Sequence, residues 1–216
     1  MSPTLKDIRE SPKRPGRYLL SLSDGRQLLV GVAVLADTGA TRPGVELSES
    51  ALARLTEEHV ITDLADRALD YLARGRRTRR ELELRLRKRE ATPAQIAAAL
   101  DRLEQSGVLS DEAVAEAEAA ARLRRGEAPA RVRQQLRKKG VSGKAVQDAI
   151  AGAIAQDGFD ERAACMEAAR KRARTLRNDD PEAARRKLLG FLLRRGYGGG
   201  VARDAVRQVL SAPSED

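Results

Sequence analysis

The sequence predicts a mainly α-helical protein: an elongated array of three tandem three-helix repeats, preceded by a short N-terminal β-hairpin segment. Three observations predict it. From about residue 60 onward, apolar residues recur at the spacing i, i+3, i+4, i+7 of a helix with one buried face. Three segments align without gaps, RLRKREATPAQIAAAL (85–100), QLRKKGVSGKAVQDAI (135–150) and FLLRRGYGGGVARDAV (191–206), at successive spacings of 50 and 56 residues. Aromatic residues make up only 2% of the 216 residues and Trp is absent, so the core must be built from Ala, Leu, Val and Ile. Side chains of that size suit helices laid on helices better than a β-sandwich.

Residues 1–16, MSPTLKDIRESPKRPG, lack the apolar core of a signal peptide and read as a disordered, Pro-punctuated tail. Residues 17–60 follow as a β-hairpin plus a short helix. In RYLLSLSDGRQLLVGVAV (17–34), two apolar runs flank Asp24-Gly25, a dipeptide that supplies positive φ at a tight turn. SESALARL (48–55) starts a helix with Ser48 as its N-cap. A lone hairpin is marginal in water and must pack on something.

The repeats are expected over residues 61–109, 110–157 and 158–216. Each contains a leading helical stretch (62–74, 111–125, 160–177), a second helix with a basic end, a break, and a third helix. The third helices carry the stripes Ile96, Leu100 and Leu103; Val146, Ile150 and Ile154, with Ala149 and Ala153; and Ala202, Val206 and Val209. Gly140 and Gly196 follow basic last turns, where glycine takes the left-handed position after the cap and cations favour the negative helix end. The first copy has Glu90 there, then Thr92-Pro93 as N-cap and first helical residue. Ser142, Asp111 and Asp180, the last followed by Pro181, are the other expected helix starts. Each repeat is too small to stand alone, so neighbours must share apolar surface.

The composition also narrows function. Net charge is +9, and residues 1–60 hold eight basic and eight acidic side chains, so the whole excess lies in 61–216. A basic balance points to nucleic acid or an acidic protein surface as partner. One cysteine, Cys165, excludes an intrachain disulfide, and with the single His59 it cannot make a zinc cluster. Cys165 has no base beside it in sequence and reads as a small packing residue. GVSGK (140–144) fails as a phosphate loop, because Lys144 is followed by Ala145 and helix, not strand, precedes it. Carboxylates alternate with arginines at helical spacing, as in ELELRLRKRE, which is a solvated ion-paired face. No run approaches the ~18 apolar residues of a membrane span. No cofactor or metal is expected, no catalytic residue is nominated, and a cytoplasmic monomer is expected.

The basic clusters remain. Arg76, Arg77, Arg79 and Arg80 crowd one helix junction, and Arg87-Lys88, Arg137-Lys138-Lys139 and Arg194-Arg195 end the second helices, with Lys144 beyond the second break. Helix capping and solubility explain any one cluster, but not their recurrence in register beside a neutral N-terminus. These twelve side chains are the candidate partner-binding residues. With so few aromatics, DNA contact would go to phosphates and tolerate any sequence.

At these residues the chain resembles the RecX family. RTRRELELRLRKR carries a basic–Thr–x–x–Glu–Leu helix, ALDRLEQSGVLSDEAVAE runs through Gly107 to Asp111-Glu112, RVRQQLRKKG ends in Lys-Gly, and KLLGFLLRRGY ends in Arg194-Arg195-Gly196-Tyr197. The resemblance covers about residues 60–210. It implies a non-enzymatic regulator that lodges in the groove of a RecA filament on DNA and reduces its ATPase, strand-exchange and coprotease activities. The alternative is a sequence-tolerant DNA-binding regulator of helix-turn-helix type, for which the Ala-rich third helices are poorly equipped.

Overall fold

The computed structural model describes residues 2–12 and 14–211. Three strands come first: β1 (Leu5–Glu10), β2 (Arg17–Leu22) and β3 (Gln27–Gly31). Two helices follow, α1 (Val32–Thr38) and α2 (Glu49–Leu72). Then come α3 (Arg79–Leu86), α4 (Pro93–Gln105), α5 (Asp111–Arg124), α6 (Pro129–Lys138) and α7 (Gly143–Asp157). The chain continues through α8 (Glu161–Ala173), a 3-10 turn (Arg174–Leu176), α9 (Pro181–Arg194) and α10 (Gly199–Ser211). Three-helix groups with a small N-terminal sheet are thus the architecture that the periodicity predicted.

The N-terminal segment departs from expectation in three ways. The stretch expected as a disordered tail contributes β1, so the hairpin is the inner part of a three-stranded antiparallel sheet ordered β1-β2-β3. Leu5 and Ile8 are the only apolar residues of LKDIRE, and the polar remainder suits an edge strand that must not recruit further strands. Residues 32–34, expected in the hairpin, begin α1, which ends at Gly39 in the left-handed conformation. The two helical stretches on either side of residue 60 are one 24-residue helix, α2. Gly25 (φ 87°) makes the tight turn as predicted, and Leu22 N–H donates to the Arg26 carbonyl across it.

One face of the sheet, through Leu5, Leu20, Leu22, Leu28 and Val30, buries against Val34, Leu35, Leu47 and Leu55. The edge of β3 is held by α2, where His59 Nδ1 accepts a hydrogen bond from Leu29 N–H at 3.0 Å. The second half of α2 buries Ile61, Leu64, Ala65 and Ala68 against Leu82, Leu86, Ile96, Leu100 and Leu103 of α3 and α4. Glu58 ties α2 to α4. It accepts two hydrogen bonds from Arg102 at 2.8 and 2.6 Å, and a third from Thr62 at 3.0 Å. Burial acts to raise its pKa, but the bonds and charge of Arg102 prevail and hold the carboxyl below the usual range.

The chain divides into two compact units, Met1–Leu109 and Ser110–Asp216. The second unit contains two helix triplets. Ala115, Ala119, Leu123, Val132, Leu136, Val146 and Ile150 close the core of α5–α7. Cys165, Ala169, Leu188, Leu192, Tyr197, Ala202 and Val206 close that of α8–α10, which also takes in Ala128. Cys165 is fully buried there. Helix starts follow the caps: Ser48, Thr92, Ser142 and Asp180 each accept a backbone N–H, and Thr78 and Thr92 form capping boxes with Glu81 and Gln95. Asp111 is not a cap; Ser110 does that work, and Asp111 supplies negative charge in the first turn of α5.

Candidate partner interface

The basic ends of α3, α6 and α9 start from one geometry. Leu86, Leu136 and Leu192 are each at most 1% exposed and pin the last turn to the core. Two residues further on, Lys88, Lys138 and Arg194 point into solvent in all three copies. After α6 and α9 the chain turns through a Schellman motif. Gly140 and Gly196 have φ of 89°, and the N–H groups of Val141 and Tyr197 reach back to the carbonyls of Leu136 and Leu192. Both residues after the glycine are buried, which locks the turn. Glu90, in the first copy, does not adopt positive φ, and α3 closes without this motif.

The twelve predicted contact residues separate into outward and inward groups. Arg76, Arg80, Arg87, Lys88, Arg137, Lys138 and Arg194 are exposed and make no ion pair among the described residues. Lys144 is exposed but pairs with Asp148 at 2.6 Å, one turn along α7. Arg77 is half-buried and donates to the neighbouring Arg76 carbonyl. Three are committed within the fold. Arg79 ties α3 to α4 through Asp101 (2.7 Å) and Glu104 (2.5 Å), besides Glu83. Burial opposes its charge, and the bonds to these carboxylates outweigh that opposition. Lys139 pairs with Glu118 of α5 at 2.5 Å. Burial acts to raise the pKa of Glu118, yet Lys139 and Arg122 together bring it below the ordinary value.

Arg195 joins the second and third triplets. Its carbonyl accepts from Ala128 N–H at 3.1 Å, and its Nη1 donates to the Gly126 carbonyl at 3.4 Å. Tyr197 donates its hydroxyl to the same carbonyl at 2.6 Å. Burial, the dominant cause, pushes the phenol up to about 12, so it stays a donor. Gly196 lies so close to α6 that a Cβ on it would sit 2.6 Å from Arg131 Cβ and 2.8 Å from Arg131 N. The run Arg195-Gly196-Tyr197 is therefore a clasp between neighbouring repeats. A basic–Gly–aromatic run signals it only once the partner turn at Gly126 is known. The Phe191 ring, between the guanidinium groups of Arg172 (5.7 Å) and Arg195 (5.1 Å), is likewise occupied.

The charge-run signal missed other outward features. Arg185 and Arg186 of α9 are exposed, and α6 carries two further cations, half-buried Arg131 and Arg133, and no carboxylate. Leu84 (54% exposed) and Leu193 (47%) stand among these cations on α3 and α9. Among the described residues, no group of three or more His, Cys, Asp or Glu is placed to hold a metal ion. Burial pushes the Cys165 thiol up to about 11, away from nucleophilic use. No helix among the described residues is long and apolar enough to cross a membrane.

Comparison with known proteins places these triplets. Family models for the first, second and third three-helix domains of RecX match residues 66–103, 110–150 and 160–206, in that order. A regulatory protein RecX of Thermobifida fusca is 36% identical over 145 residues, which is 67% of this chain and 77% of the relative. One from Chlorobaculum tepidum is 33% identical over 150 residues, 69% of this chain and 89% of the relative. A crystal structure of a regulatory protein RecX superposes with a TM-score of 0.74 at 23% identity, covering 95% of this chain and 99% of the other. With all three domain models matched in order and relatives above 30% identity spanning most of their own length, the chain belongs to the RecX family of regulatory proteins.

Proposed function

We propose that this chain binds the RecA recombinase in the groove of its filament on DNA and modulates, chiefly inhibits, its ATPase, strand-exchange and coprotease activities. In this reading it acts in the cytoplasm, as a monomer and without catalysis of its own. The observation that carries the reading is the set Lys88, Lys138 and Arg194: one unpaired cation at the same turn of three homologous helix ends. A repeated cation matches a repeated, negatively charged partner, and several weak contacts on one chain add avidity. Family membership supports a regulatory role.

The helix-turn-helix reading needs cations on the third helix of a triplet. The exposed charges of α4 are Asp101, Arg102 and Glu104, and α7 exposes Lys144 already paired with Asp148. Neither is equipped to read a groove. Titrating the protein into cognate RecA on single-stranded DNA tests the proposal. ATP hydrolysis should fall at substoichiometric protein, and unchanged hydrolysis at equimolar protein would refute it.

A further inference from the structure

Two grooves lie on the second unit, and their linings differ in charge. One, between α5 and α8, is lined by Arg124, Arg125, Lys171 and Arg195, but also by Asp157, Asp160 and Glu167. Arg124 is paired with Asp157 and Lys171 with Glu167, so much of this groove's charge is answered within it. The other lies between α6 and the end of α9. Ala130, Arg131, Gln134, Leu193, Arg194 and Gly196 line it, it encloses about 430 Å³, and no carboxylate is among them. Arg131 donates to the neutral Gln134 at 2.8 Å, and Arg194 has no anionic partner among the described residues. Leu193 stands 47% exposed in this cationic lining.

We propose that the α6–α9 groove takes an acidic peptide segment of a protein partner, with one apolar side chain seated on Leu193 between Arg131 and Arg194. This names the kind of partner surface for the regulator proposed above and rests on that reading. Charge complementarity gives the acidic character: both walls are cationic and neither supplies a counter-charge. Leu193 gives the apolar residue, since an exposed leucine gains nothing from a phosphate chain but gains from a buried side chain. The nearby rings cannot stack on a nucleobase, because Tyr197 is buried with its hydroxyl on Gly126 and Phe191 lies between two guanidinium groups.

Fluorescence anisotropy on the full chain tests this with three labelled probes. These are a short glutamate peptide with one central leucine, the same peptide with a central serine, and a thymidine oligonucleotide of equal length. The leucine peptide should bind about tenfold tighter than the serine peptide, as one buried leucine provides. Leu193→Ser should abolish that preference, while Val108→Ser, at a comparably exposed residue of the other unit, should keep it. Circular dichroism checks that both variants stay helical. Should Leu193→Ser unfold, Ala130→Glu puts a carboxylate into the groove from an exposed α6 position and should repel both peptides. Equal affinity for the two peptides, or a preference that survives these groove variants, overturns the proposal. So does an oligonucleotide that displaces the leucine peptide and loses affinity equally with Leu193→Ser, since the groove would then serve nucleic acid. If the preference holds while RecA hydrolysis is untouched, the groove stands and the recombinase reading falls. The reverse result removes the groove alone.

Discussion

Replacing Gly196 by alanine should cost the second unit about 2–5 kcal/mol, and the structure divides that cost in two. The backbone there has φ of 89°, which an L side chain adopts at a penalty of about 1–2 kcal/mol. The new Cβ would also lie 2.6 Å from Arg131 Cβ and 2.8 Å from Arg131 N. These are atoms of the α6 backbone and its first carbon, not a side-chain tip that swings aside. Relief requires α6 and α9 to separate, stretching the Ala128–Arg195 and Tyr197–Gly126 bonds, and overpacking of this kind costs about 1–3 kcal/mol. Gly158→Ala is the matched control: φ is 60° and nothing lies within 4 Å of its Cβ, so only the backbone penalty of about 1–2 kcal/mol applies. Urea denaturation followed by circular dichroism measures both. Equal losses for the two variants would refute the close approach of the two repeats at Gly196.

Tyr197→Phe removes one hydrogen bond and leaves the ring in place, so denaturation should show a loss of about 1 kcal/mol with helicity retained. Lys138→Glu should leave stability within about 0.5 kcal/mol while weakening RecA-filament binding in a pull-down. Lys139→Glu should instead destabilise by about 1–3 kcal/mol, because it sets a second carboxylate against half-buried Glu118; equal stability of the two variants would refute the inward role of Lys139. Glu118 also sets an acid limit. Its folded pKa is lowered, so between that value and the ordinary 4.5 the unfolded chain binds the extra proton. Its stabilisation is therefore complete above 4.5 and is lost as pH falls through the lowered folded value. Glu118→Gln should flatten the pH dependence of stability in that acid window, and an unchanged slope would refute the assignment.

The repeats were legible in the sequence because the levels agreed: apolar period and capping residues mark all three, and glycine breaks mark the second and third. The sheet was legible only where a turn marked it, at Asp24-Gly25. Polar β1 carries no alternation strong enough to announce a strand, and it is stabilised by Leu5 and by pairing with β2, a tertiary fact. Residues 56–61 fall in neither expected helical stretch, because the partners of Glu58 and His59 are remote in sequence. Glu58 meets Arg102 across 44 residues, and His59 meets the backbone of Leu29 across 30. The same limit applies at the candidate interface. Arg87, Lys138 and Arg194 look no different in sequence from Arg79, Lys139 and Arg195. Whether a basic side chain serves solvent or the fold depends on where carboxylates such as Asp101, Glu104 and Glu118, and carbonyls such as that of Gly126, arrive in space.

The uninterrupted α2 limits where the chain can be divided. The match to the first RecX domain begins at residue 66, deep inside a helix that starts at Glu49. The segment matched to the first three-helix domain thus leaves out the start of the helix it begins in. Leu55 belongs to the sheet core and Leu64 to the triplet core, both on one rod, so a fragment trimmed to the matched residues 66–103 would sever the helix that the two cores share. Grafting or swapping repeats between relatives should respect the break at Leu109-Ser110, and treat everything before it as a single piece.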